Sequence, residues 1–207
     1  MTKTIKERPI LFSAPMVRAI LDGRKTQTRR VVKPKDLEWM DVHQGLRESD
    51  NEVCCPYGMT GDRLWVRETW AVGKSADTFA PSVLHPGTWL NDKGGLWYPA
   101  DNTAPPAPIS PRGKTRVSIH MPRWASRILL EIVSVRVERL NDISEQDARA
   151  EGCSPGGWQP SYSNPDNSNG DDSWSATDAF AELWESINGA SSWQANPWVW
   201  VVEFRRV

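Results

Sequence analysis

Apolar residues recur at helical spacing in one short stretch near the amino end, at Met16, Val17, Ile20 and Leu21. Ser13 offers a side-chain cap, Pro15 suits a first helical turn and Gly23 supplies a stop, so the pattern predicts a brief helix between them. Residues 25–32, KTQTRRVV, then alternate. Thr26, Thr28 and Val32 hold even positions and Lys25, Gln27 and Arg29 odd ones, which predicts a strand with one strongly polar face. A turn at Gly61-Asp62 precedes a second strand pattern, with Leu64 and Val66 on one side and Trp65 and Arg67 on the other. The longest strand signal is residues 127–138, RILLEIVSVRVE. Its alternation changes phase at Ile132-Val133, the mark of a β-bulge or a strand bending around a barrel.

Near the carboxyl end, SEQDARAE (residues 144–151) has a capping-box spacing at Ser144 and Asp147, with Gly152 as stop. A further helix is expected with Thr177 as cap and Phe180, Leu183, Trp184 and Ile187 on one face before Gly189. The final PWVWVVEFRRV reads as a strand with at least one buried face. Residues 73–116 and 153–175 are rich in Gly, Pro, Ser, Asn and Asp and lack sustained periodicity. They read as two insertions over the surface of one domain spanning residues 1–207. Short helices among bent strands predict an α+β, mostly β class: a small curled sheet or barrel with peripheral helices.

Composition narrows the function classes. In 207 residues, no apolar run reaches the roughly 18 a membrane helix needs. The first residues, MTKTIKERPI, contain no apolar signal core, and three Cys make a disulfide framework a poor reading, so a reducing cytoplasm is the expected location. Twelve Trp stand against three Tyr and four Phe, so indole supplies most of the aromatic surface for core packing or base stacking. Charge is uneven: residues 1–35 hold ten basic and two acidic side chains although the whole chain is at −1. That predicts a basic face for an anionic ligand.

Lys25, Thr28, Arg29 and Arg30 are the densest candidate chemistry. A Lys among three Arg should lose its proton more readily, because neighbouring like charge disfavours the cation. A neutral amine can act as a base and a nearby Thr hydroxyl as a nucleophile. The alternative is that these cations only meet phosphate or solvent. Asp147 and Glu151, four residues apart, share one helix face and can supply a carboxylate or simply face water. Cys54, Cys55, Cys153, His43, His85 and His120 have no metal-ligand spacing, and no phosphate-binding loop or dinucleotide fingerprint occurs, so no metal and no cofactor is expected.

The stretch PILFSAPMVRAILDGRKTQTRRV, with Gly23-x-Lys25 followed by Thr28 and Arg29-Arg30, resembles the opening of ASCH domains of the PUA-like superfamily, small β-barrels. Thr60-Gly61-Asp62 and the terminal VVEFRRV look like further landmarks, so the likeness touches about half of the chain. The long Trp-rich form with insertions is similar to versions found in bacteriophages and prophages. One branch of the family hydrolyses the amide of N4-acetylcytidine with a Lys, a Thr and a Glu. The resemblance carries those roles to Lys25, Thr28 and Glu151: Thr28 attacks the acyl carbonyl, Lys25 assists proton transfer, Glu151 orients or protonates the base, and Arg30 shapes the pocket. It equally implies a second class, a module binding single-stranded RNA or a modified nucleobase (or a ribonuclease) through Arg24, Arg29, Arg30 and Lys33, with Trp65 for stacking. A third is a phage accessory protein without chemistry. The expected partner is therefore a modified nucleoside or single-stranded RNA, with oligomeric state unread.

Overall fold

A computed structural model describes residues 4–42, 55–85, 95–105, 110–156, 161–163 and 175–207. Its frame is a five-stranded mixed sheet ordered β1 (Glu7–Leu11), β3 (Arg63–Arg67), β6 (Leu129–Arg139), β9 (Trp198–Arg206), β2 (Gln27–Val31). β1 and β3 are parallel and the remaining pairs antiparallel. A parallel pair needs a long crossover, and residues between them supply it: α1 (Ala14–Leu21), β2 and α2 (Pro34–Val42). The class is α+β, mostly β, as the patterning predicts.

The local signals act as read in most places. Ser13 caps α1 by accepting from the Met16 N–H at 3.5 Å, and Gly23 turns the chain at φ +75°, where an L side chain would be strained. The register of β6 against β9 slips between Ile132 and Ser134, and Val133, expelled by that bulge, is half-exposed. The bulge bends the sheet over one core, with Leu64, Leu130, Ile132 and Val202 fully buried on it beside Val17 of α1. In β9 all four residues from Val199 to Val202 are buried, so this central strand is packed on both faces and its sequence runs continuously apolar. Among the described residues the ladder stays open between its edge strands β1 and β2. One side chain crosses the gap: the Arg30 guanidinium donates to the Leu11 carbonyl at 2.8 Å and lies 5.5 Å from the Phe12 ring.

Two readings of the peripheral segments change. Ser175, not Thr177, caps the helix α4 (Ala176–Asn188), accepting from the Asp178 N–H at 3.0 Å. The first insertion does more than run over the surface. Its described parts, with the short pair β4 (Ala71–Val72) and β5 (Leu96–Trp97), enclose a second apolar cluster of Trp70, Val72, Ala76, Leu84, Tyr98, Met121 and Ala125. Trp124 meets Trp70 edge-on at 5.9 Å. Arg127 clips this cluster to β3, forking onto the buried Glu68 carboxylate at 2.9 Å from each nitrogen while reaching Asp101 at 2.8 Å. Segments 86–94, 106–109, 157–160 and 164–174 of the two insertions lie outside the described residues. In the second insertion β7 (Ser154–Gly156) pairs with β8 (Ser161–Ser163). No helix among the described residues is long and apolar enough to cross a membrane.

Candidate active site

Two distant segments meet at the edge of the sheet. The chain leaves Gly23, buries Lys25 and enters β2, while the six-residue helix α3 (Glu145–Ala150) ends against it. Backbone bonds join the two: Thr26 N–H donates to the Ala150 carbonyl at 2.8 Å, and Lys25 forms an isolated antiparallel bridge with Glu151. The buried Gln27 adds a side-chain tie to the Asp147 carbonyl at 2.7 Å. Ser144 caps α3 through the Asp147 N–H at 3.1 Å, as its capping-box spacing predicts.

This junction places ionisable side chains out of water. Lys25 donates through Nζ to Glu151 Oε2 at 2.7 Å and to the Glu151 carbonyl at 2.8 Å, with Lys25 and Glu151 each 2% exposed. Arg29 donates to Glu151 Oε1 at 3.0 Å, to Glu138 Oε1 at 2.5 Å and to Asp147 Oδ2 at 3.1 Å. Arg136 continues the lattice to Glu138 at 3.0 Å, to Asp147 at 2.9 Å and to Glu203. Three cations, Lys25, Arg29 and Arg136, therefore face four carboxylates. A buried charge is tolerable only when paired in this way.

The basic face expected from the first 35 residues is correspondingly reduced. Arg29 is 3% exposed and fully engaged, and Arg24 pairs with Asp22 at 3.1 Å. Of the four cations proposed to touch nucleic acid, Arg24 and Lys33 are exposed and Arg30 is half-buried. The Lys25 pKa is lowered, in the expected direction but for a different main reason. Burial dominates, the nearby Arg30 charge adds to it, and the attraction of Glu151 opposes it.

Thr28 and Glu151 line one small cleft together with Arg29, Arg30 and Met16, under a roof made by α4. Its volume is about 60 Å³, enough for water but well below the roughly 300–1,000 Å³ of a ligand pocket. Phe180, Leu183 and Trp184 are the roof, and the Arg29 guanidinium lies 5.7 Å from the Phe180 ring. The buried indole N–H of Trp184 has no acceptor among the described residues. Lys25 is not part of the cleft wall. It stands behind Glu151 and lines a shallow groove of about 390 Å³ with Gly23 and Arg205.

Trp65 is not brought to this place. It is buried on β3, with the Arg67 guanidinium 4.7 Å from its ring, and does not line the cleft. Glu138, Arg136 and Gln27 complete the site without having stood out in the sequence. The one signal available was Asp147, four residues before Glu151, which indeed faces the same arginine. His43 and Cys54 lie outside the described residues, and among the described ones no group of His, Cys, Asp or Glu is arranged to hold a metal ion.

No family model matches the sequence, and no curated protein matches it. Among solved structures, the chain is similar to protein EF3133 from Enterococcus faecalis V583, of the DUF984 family, with 10% identity and a TM-score of 0.39 over 100% of this chain and 83% of that one. It is also similar to the crystal structure of an ASCH domain from Lactobacillus crispatus JV V101, with 12% identity and a TM-score of 0.41 over 97% of this chain and 79% of that one.

Proposed function

We propose that the Thr28–Glu151 cleft hydrolyses an exocyclic amide on a nucleobase, with an N4-acylated cytosine nucleoside as substrate. The observation that carries this reading is the buried Lys25–Glu151 pair, 2.7 Å apart, whose carboxylate shares the cleft with the Thr28 side chain. The amine and the carboxylate are close enough to hand a proton from one to the other, and Arg29, 3.0 Å from Glu151 Oε1, still balances the carboxylate when the amine is neutral. Thr28 Oγ attacks the acyl carbon, and its proton passes through Glu151 to the Lys25 amine, which burial keeps easy to deprotonate. The C–N4 bond then breaks as the same relay returns the proton to N4, freeing cytidine. Water hydrolyses the acyl-threonine, releasing the carboxylic acid and restoring the hydroxyl. Arg30, at the cleft wall, faces the developing oxyanion.

The closed volume requires α4 to lift before a base enters. Both carboxylate oxygens of Glu151 are already bonded, to Lys25 and to Arg29, and this favours a second reading, a base-binding module without turnover. Incubating N4-acetylcytidine with the protein and separating the products decides between them. Formation of cytidine that is lost in Thr28→Ala and in Lys25→Met supports hydrolysis. Absence of cytidine, or equal formation by both variants, refutes it.

A further inference from the structure

A larger hollow lies under the first insertion. It measures about 460 Å³ and is walled by Arg67, Pro81, Ser82, Ile119, His120 and Pro122. Arg67 ends β3, where alternation puts its side chain opposite to that of Glu68. Glu68 is committed to Arg127, and Arg67 has no ion pair among the described residues. Its guanidinium rests on the Trp65 ring, and its shielded Nε has no hydrogen-bond acceptor among them. A cation held in place by an aromatic ring, beside an exposed imidazole, a hydroxyl and apolar walls, fits a phosphate with a flat ring attached. The wall residue Ile119 and Val83, next in sequence to Ser82, are apolar and more than half exposed.

The hollow is joined to the cleft across the open gap between β1 and β2. Arg67 is registered with Leu11 of β1, and its carbonyl accepts from the Phe12 N–H at 3.3 Å. The Leu11 carbonyl in turn holds Arg30, which lines the cleft. Neighbouring strands are about 4.8 Å apart. Arg67, Leu11 and Arg30 therefore form a short continuous path from the hollow to Thr28, with two cations on it that no carboxylate neutralises among the described residues.

We infer that this hollow is a subsite for a nucleotide flanking the target base, so that the substrate is single-stranded RNA rather than a free nucleoside. The inference rests on the cleft being the base pocket, and it moves the strand's path from Arg24 and Lys33 to Arg30 and Arg67. The probe is an unmodified, fluorescently labelled single-stranded oligoribonucleotide, followed by anisotropy over a salt series with the full chain. Because no acyl group is present, the outcome is separate from that of the hydrolysis assay. Arg67→Ala is expected to weaken binding about 5–10-fold at low salt and to make the logarithmic salt slope shallower by about 0.7, the loss of one phosphate contact. Ile119→Glu, at a position 55% exposed, places a negative charge on the wall without touching the core and is expected to weaken binding similarly. It also serves where Arg67→Ala fails to fold. Unchanged affinity and slope in Ile119→Glu and in folded Arg67→Ala overturns the subsite. Displacement of the oligonucleotide by inorganic phosphate as readily as by an unlabelled trinucleotide overturns it too, since only an anion site would then be present.

Discussion

The roof over the cleft is fastened by one carboxylate. Glu145 of α3 accepts from the first two amides of α4, Ala176 at 3.1 Å and Thr177 at 3.1 Å. Replacing it by Ala removes both acceptors and the negative charge at the helix start. Capping interactions are worth about 0.5–2 kcal/mol, and Glu145 is exposed, so about 1 kcal/mol is the reasonable figure. One kcal/mol multiplies the open population of α4 about fivefold. Hydrogen exchange followed by mass spectrometry should show amides of α4 exchanging about fivefold faster in Glu145→Ala, with β6 and β9 unchanged. The pH dependence has a definite sign. Slight burial raises the Glu145 pKa, but hydrogen bonds from Thr177, Ala176 and Ser175 outweigh it and hold the value below the ordinary one. The carboxylate's contribution is therefore present above the ordinary glutamate range and fades as the pH falls through the lowered value. Wild-type α4 should lose protection on acidification, and the variant should not lose it further. Equal exchange in the two proteins, or acceleration spread evenly over the sheet, would refute the latch.

Lys25→Met leaves Glu151 its Arg29 partner but breaks a buried pair, which should lower stability by about 3 kcal/mol in denaturant titrations at neutral pH. Because the folded Lys25 pKa is lowered, the unfolded chain binds the extra proton between that value and the ordinary lysine range; wild-type stability from this group should rise with pH there, and the wild-type-minus-variant difference should grow. Thr28→Ala should abolish cytidine formation while shifting stability by no more than about 1 kcal/mol, since it deletes one hydroxyl and one methyl. Arg127→Lys cannot reproduce the fork onto Glu68 and should expose residues 96–103 to proteolysis without unfolding β6 and β9; full protection there would contradict the clip.

Where the sequence encodes structure through neighbouring residues, it is readable. The Ser13 and Ser144 caps, the Gly23 stop and the slip after Ile132 each depend on residues a few positions apart, and each appears where the spacing places it. The fate of Arg29 depends on Glu138 and Asp147, 109 and 118 positions away, and no local pattern announces that a basic strand will be neutralised from so far along the chain. The lowered Lys25 pKa was inferable in direction from its arginines, but its main cause, burial against α3, is a tertiary fact. Trp65 shows the same limit. Alternation put it opposite Leu64 and Val66, yet the face is covered, with Arg67 spread over its ring. The second apolar cluster has no periodic signature in the sequence, because turns and single helical turns deliver its residues.

The strand order has a kinetic corollary. β9 lies between β2 and β6, so β2 has no neighbour to bond with in this sheet until the long stretch separating Val31 from its partner Val199 has been translated. Contacts of such high sequence separation are slow to form because loop closure comes before any reward. The Lys25–Glu151 contact spans 126 positions and must wait in the same way. Until then β2 and one side of β6 expose their hydrogen-bonding edges, which makes a stalled or shortened polypeptide a natural client for chaperones and a poor candidate for expression in fragments.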